Sequence, residues 1–295
     1  MSGLKVSAFT TSYMFQMNAV QAMRHLNRSF GFRRFTVLVG PPHFWPSELT
    51  AAERRDIPKV LEGEGLEIAA FCWPSIDNNF ASQAQDLRMQ TIESVRRALD
   101  LAGAWGVKHL VLVPGKISPL LAPPFDMSLA VFVEGMRIVA PMAREAGVKL
   151  LVENVPMSAF PRIADLERAL AAAAEYDVGI LYDVANATFV GDDPLKDLPR
   201  IVDRVAMLDA SDTVLEKFQH TTVGTGVVDF PAIGKLLQKL DFRGVTAVEM
   251  IVKDDPDRAF GRSLDRLAKY GWEDPRKATR GNAQGAKAGA KAKGA

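Results

Sequence analysis

Four acidic residues of this chain share one setting, because each ends a short apolar run. The runs are Leu150-Leu151-Val152-Glu153, Ile180-Leu181-Tyr182-Asp183, Ala206-Met207-Leu208-Asp209 and Ala247-Val248-Glu249. Such a run suits a strand of a parallel sheet that is buried on both faces. An unpaired carboxylate inside that strand would be costly to bury, whereas at the strand's end it can meet water, a metal or a substrate. Acids are common where strands meet loops, so the informative feature is their recurrence in four consecutive strand candidates. Gathered in one place, the carboxylates would repel strongly in a low dielectric. A divalent cation resolves that conflict, and an oxygen-rich donor set suits Mg²⁺ or Mn²⁺ better than zinc.

The elements that must carry these residues follow from the patterning. Apolar runs predict strands at Leu4–Thr10, Arg34–Val39, Leu66–Phe71, His109–Val113, Lys149–Glu153, Val178–Tyr182, Arg204–Leu208 and Gly244–Val248. Helical segments alternate with them, near 17–27, 51–64, 84–105, 128–146, 163–175, 194–201, 230–240 and 256–270. Pro141 should kink or divide the fourth helix, and Asp229 is the expected N-cap of the seventh. The stretch through His220 and Gly224-Thr225-Gly226 is expected to be a long loop. Eight βα units in 295 residues predict an α/β protein with a single (β/α)8 TIM barrel over 1–274. The glycine-rich phosphate turn of an open doubly wound sheet is missing after the first strand.

Composition narrows the function classes. The net charge of +1 hides six basic residues and no acid from Pro275 onward, which leaves 30 basic against 35 acidic residues before it, a net of −5. The mildly acidic barrel disfavours a dedicated nucleic-acid surface. The Ala/Gly/Lys-rich tail, 275–295, is expected to be a disordered basic segment. Cys72 is the only cysteine, so no intrachain disulfide forms, in keeping with a reducing compartment. Neither a secretory signal nor an apolar run of membrane-spanning length is present, so a soluble cytoplasmic protein without a membrane partner is expected.

The chain resembles the xylose isomerase-like sugar isomerase/epimerase superfamily over about Leu4–Tyr270. The matching pieces are Val152-Glu153-Asn154, Asp183-Val184-Ala185-Asn186, Asp209-Ala210-Ser211-Asp212, Val223-Gly224-Thr225-Gly226 with Asp229, and Ala247-Val248-Glu249. The resemblance implies that Glu153, Asp183, Asp209 and Glu249 hold one divalent metal ion, Mn²⁺ or Mg²⁺. It also implies that Glu153 and Glu249 act as an acid/base pair on opposite faces of a sugar, keto-sugar or inositol-like polyol. A homodimer or homotetramer is implied as well. The chain departs from the family at Asn186 and Asp209, where histidine is usual, and at His220, where arginine is frequent. Asp209 can still supply an oxygen ligand. Asn186 can bond a substrate hydroxyl but cannot carry a proton, and His220 retains a partial positive charge at neutral pH.

The implied chemistry begins with polarisation of a carbonyl and its neighbouring hydroxyl, followed by proton removal by one Glu to give an enediolate. Return of the proton to the opposite face epimerises, return to the adjacent carbon isomerises, and loss of a β-hydroxyl dehydrates. A dehydratase on the same scaffold, or a non-catalytic barrel subunit lacking metal, are the alternatives. Asn186, His220, Trp73 and Lys116 are the candidate substrate-binding residues, with Trp73 as an aromatic wall and Lys116 able to reach a phosphate or carboxylate. His109 opens its strand and so lies at the end away from the pocket, while His43 beside Phe44-Trp45 fits a pocket wall or loop packing equally. Cys72 reads as buried filler.

Overall fold

The computed structural model describes residues 3–277. Eight parallel strands close into a barrel: β1 (Lys5–Phe9), β2 (Arg34–Leu38), β3 (Glu67–Trp73), β4 (His109–Leu112), β5 (Lys149–Glu153), β6 (Gly179–Asp183), β7 (Val205–Ala210) and, after an inserted hairpin, β10 (Val245–Val248). β10 pairs with both β7 and β1, so among these strands no edge is left open. The hairpin, β8 (Asp212–Val214) and β9 (Lys217–Thr221), is antiparallel and occupies the stretch expected to be a long loop.

Helices α1 (Ala19–Phe30), α2 (Ala51–Gly63), α3 (Gln85–Ala104), α4 (Phe125–Glu145), α5 (Ile163–Ala172), α6 (Val184–Phe189), α7 (Pro194–Ile201), α8 (Phe230–Lys239) and α9 (Pro256–Lys269) follow the strands. Capping boxes start α1 and α2, at Asn18 with Gln21 and at Thr50 with Glu53. Asp229 caps α8, accepting a hydrogen bond from the Ala232 N–H at 3.0 Å. Pro141 does not divide α4, which runs as one helix from Phe125 to Glu145. The loss of a single backbone hydrogen bond is offset there by a face buried through Phe132, Met136, Val139 and Ala143.

Two apolar layers separate cleanly. One lies between strands and helices. The other fills the barrel and consists of Phe9, Leu38, Ala70, Cys72, Val111, Leu151, Leu181, Met207 and Ala247. Side chains alternate along a strand, so the residue two beyond an inward one also points inward. Leu151, Leu181, Met207 and Ala247 therefore direct Glu153, Asp183, Asp209 and Glu249 to the interior at the carboxyl end.

At the opposite end Glu273 closes the barrel floor, accepting from the Val6 N–H at 2.9 Å and from Arg34 at 2.8 Å. Arg276 pairs with Asp274 and Asp265, each at 2.8 Å, so contact with the barrel extends past the boundary expected at Asp274. Most of the segment expected to be a disordered tail, 278–295, lies outside the described residues. Among the described residues no helix is long and apolar enough to cross a membrane.

Candidate active site

One oxygen from each of Glu153, Asp183, Asp209 and Glu249 lies within 4.8 Å of the others. Asp183 and Asp209 are fully buried, and Glu153 and Glu249 nearly so. Their hydrogen bonds are few. Asp183 Oδ1 accepts from the Asn186 N–H at 2.7 Å and thereby caps α6, while its Oδ2 has no hydrogen-bond partner. Glu153 Oε1 accepts from the Asn186 side-chain amide at 3.2 Å. Neither carboxylate oxygen of Asp209 has a partner.

The hairpin brings a cation to one side of this group. His220 Nδ1 stands 3.0 Å from Glu249, 3.6 Å from Asp183 and 2.9 Å from the Ser211 hydroxyl. The backbone fixes the ring's place, since the His220 carbonyl accepts from the Ile251 N–H at 2.9 Å. The hairpin is itself pinned by Asp212, whose Oδ1 accepts from the Thr213 and Val228 N–H groups at 2.9 and 3.1 Å. Gly226 packs so tightly beneath it that a Cβ would fall 2.0 Å from the Thr213 carbonyl oxygen.

Burial and mutual repulsion raise the pKa values of Glu153, Asp183 and Asp209. Loss of solvent, then the charges of Glu249 and Asp183, hold Glu153 well above the usual carboxylate range. Asp209 is raised by the same causes, burial first and then Glu249, Glu153 and Asp183. Asp183 is pushed up to about 7, chiefly by burial, with His220 opposing and Glu249 reinforcing the rise. For His220 burial works downward, but the Glu249 and Asp183 carboxylates overcome it and lift the imidazole to about 9. His220 therefore carries a charge at neutral pH.

That single positive charge also attracts Glu153, but among the described residues no cation offsets the burial of Asp209. Buried carboxylates converging from four strands, with both oxygens of Asp209 and Oδ2 of Asp183 left without a hydrogen-bond partner, are the donor set of a hard divalent cation, and the cluster is able to hold one.

A cavity of about 650 Å³ opens above the acids. Glu153, Asn186, His220, Glu249 and Lys116 line it, so these expected residues share one space. Lys116 is exposed at the mouth. Trp73 is not part of the wall. Cys72 points into the barrel, so its neighbour Trp73 points out, packing at a tilt against Trp45 with ring centroids 5.1 Å apart and donating its indole N–H to Asn78 at 2.9 Å. His43 is a structural tie between the Met17 carbonyl at 2.7 Å and the Thr10 hydroxyl at 2.9 Å, and burial lowers its pKa. His109 meets the Ala69 carbonyl at 3.2 Å, away from the acids.

Two supporting residues escape a reading by sequence. Asn154 clamps the backbone of Asp183, its amide donating to the carbonyl at 3.0 Å and accepting from the N–H at 2.9 Å. Ser211 orients His220. Both stand in the pieces that carry the family resemblance, directly after or two residues after an acid that ends a strand, but without an assigned role.

A family model described as a xylose isomerase-like TIM barrel matches residues 25–270. The chain belongs to this family. It is 23% identical over 208 residues to "Putative L-ribulose-5-phosphate 3-epimerase SgbU" of Haemophilus influenzae, which covers 68% of this chain and 72% of that protein. It is also 25% identical over 154 residues to the inosose dehydratase of Geobacillus kaustophilus, over 46% of this chain and 49% of that one. Among solved structures, a D-tagatose 3-epimerase-like protein superposes with a TM-score of 0.76 at 20% identity, covering 90% of this chain and 97% of its own. The 3-keto-D-glucoside 4-epimerase YcjR of Escherichia coli superposes at 0.73 and 18% identity, over 90% and 99%. At these identities the superpositions establish the fold alone.

Proposed function

We propose that this protein is a divalent-cation-dependent isomerase or epimerase of a sugar, keto-sugar or inositol-like polyol. The observation that carries the reading is the convergence of four buried acids, of which both oxygens of Asp209 and Oδ2 of Asp183 find no hydrogen-bond partner among the described residues. Glu153, Asp183, Asp209 and Glu249 would hold Mn²⁺ or Mg²⁺. When bound, that ion polarises a substrate carbonyl and its neighbouring hydroxyl, which acidifies the adjacent C–H.

The remaining work falls to the side chains. Glu153 and Glu249 form the acid/base pair. Their oxygens lie within 4.8 Å of one another, so one can take a proton from the substrate while the other gives one. Burial raises the pKa of Glu153 and suits it to the donor role. Asn186 fixes Glu153 through its amide and is free at Oδ1 to accept from a substrate hydroxyl. The charged His220 sits where it can donate to a substrate oxygen. Lys116, at the mouth, is the candidate for a distal anionic or hydroxyl group.

Incubation of a panel of keto-sugars and inososes in heavy water with Mn²⁺, followed by mass spectrometry, tests the reaction. Deuterium uptake is expected with the wild-type protein and is expected to vanish in Glu153→Gln and Glu249→Gln. Wild-type-like uptake in both variants refutes their roles. Elemental analysis, expected to find a divalent ion in the wild type and none in Asp183→Ala, tests the cation separately. The similarity to an inosose dehydratase supports a second reading, loss of a β-hydroxyl after the same first proton transfer, which the mass of the product distinguishes. The homodimer or homotetramer that accompanies the proposal is tested by light scattering.

A further inference from the structure

The ring of strand ends around the cavity is divided by chemistry. β5, β6, β7 and β10 end in the four acids, whereas β1 to β4 offer Phe9, Leu38, Cys72 and, just past β4, Val113. The same alternation that turns the acids inward turns these apolar side chains inward on the opposite half. The apolar wall continues outward to the mouth. Phe15, Ile251, Ile76 and Met157 line the cavity while 80%, 54%, 48% and 44% exposed. A contiguous apolar surface of this kind is characteristic of a ligand-binding face. Uncharged polar side chains are few there: the Ser12 hydroxyl is already bonded to the Met250 carbonyl, and Thr11, Gln16 and Ser75 are the others on that side of the lining.

The volume points the same way. Allowing each of roughly a dozen heavy atoms of a hexose the ~30 Å³ of a liquid water molecule, a free hexose takes up at most ~360 Å³. The cavity measures about 650 Å³. The unfilled remainder lies along surface that a hydroxylated ring cannot satisfy.

We propose that the substrate is amphiphilic: a keto-sugar or polyol ring facing the acids, joined to an apolar aryl or alkyl group that lies against Phe9, Leu38 and Val113 and reaches Phe15 and Ile251. The inference rests on the acid cluster being the reaction centre proposed above. The apolar substituent anchors the ring from the side opposite the carboxylates, where few hydrogen bonds are on offer. Binding energy from this unreacting part would hold the reacting carbons over the Glu pair.

Calorimetric titration of the Mn²⁺-loaded protein with phenyl and methyl 3-keto-β-D-glucoside, and with ribulose 5-phosphate, tests the inference. The phenyl compound is expected to bind at least about tenfold more tightly than the methyl compound, since burial of even two of its five additional carbons is worth about that factor. In Phe15→Ser/Ile251→Ser that ratio should fall at least about threefold; both side chains are exposed, so the fold is expected to survive the change. Equal affinities, no binding of the phenyl compound, a ratio unchanged in the double variant, or tighter binding of ribulose 5-phosphate, for which Lys116 and Lys253 are the two lysines lining the cavity, would each overturn it. Deuterium uptake into small keto-sugars without a phenyl preference sinks this inference and leaves the proposed reaction standing. A phenyl preference without uptake into any compound supports the inference and sinks the reaction.

Discussion

Replacing Asp183 by Asn should stabilise the metal-free protein while weakening its hold on a cation. Asp183 is held at about 7 instead of its ordinary 3.8, mainly by burial, and the figure already includes the attraction of His220. The folded state therefore keeps a proton that the unfolded chain releases. Below the unfolded pKa the effect is absent; it destabilises increasingly as pH rises from about 4 to about 7, and then levels off. At about 1.4 kcal/mol per unit, the penalty reaches about 4 kcal/mol at pH 8 and about 2 kcal/mol at pH 5. Asn is neutral at every pH and retains the oxygen that caps α6 by accepting from the Asn186 N–H.

Urea unfolding of both proteins in EDTA, at pH 5 and pH 8, reads the difference. Asp183→Asn should exceed the wild type at pH 8 by an amount that shrinks at pH 5, and the order should reverse when Mn²⁺ is added to wild type and variant alike. A penalty of about 4 kcal/mol is a large share of a domain's usual stability, so the effect lies well above the error of extrapolation. A variant no more stable than the wild type at pH 8, or one whose advantage does not depend on pH, would refute the argument that uncompensated carboxylates strain this site.

Other expectations address the site's supports. His220 is raised from 6.5 to about 9, so its contribution to metal-free stability is complete below pH 6.5 and is lost as pH rises through 9. His220→Gln in EDTA should flatten the unfolding free energy across that window, where the wild type loses about 3 kcal/mol. Asn154→Ala removes two buried hydrogen bonds to the Asp183 backbone, so urea melts should record a loss of about 1–3 kcal/mol. Metal titration of the same variant should report about tenfold weaker binding, as for other residues that orient a ligand without touching the ion. Gly226→Ala drives a Cβ to 2.0 Å from the Thr213 carbonyl, which is backbone and cannot step aside. A loss of about 1–3 kcal/mol and faster amide exchange in β8 and β9 are expected.

Much of this protein is legible along the chain. Apolar runs ended by acids, punctuated by Gly and Pro and separated by amphipathic helices, are local signals, and they specify eight βα units and the carboxylates at four strand ends. The cap at Asp229 is equally local. Pro141 does not divide its helix, because the buried face outweighs the local penalty of one lost hydrogen bond.

What only the tertiary structure decided is orientation and company. A parallel strand buried on both faces is apolar at nearly every position, so its sequence does not say which side chains face the barrel interior and which face the helices. Trp73 and Cys72 are the case in point: adjacent and both apolar, one packs outward on Trp45 while the other looks into the cavity. His220 likewise reaches Glu249 only because the segment after β7 folds back as a hairpin, driven by Asp212 and by a glycine against a carbonyl that no period in the chain announces. The distance along the chain from Glu153 to Glu249 is bridged by barrel closure alone, a cooperative outcome of strand pairing that no single segment encodes.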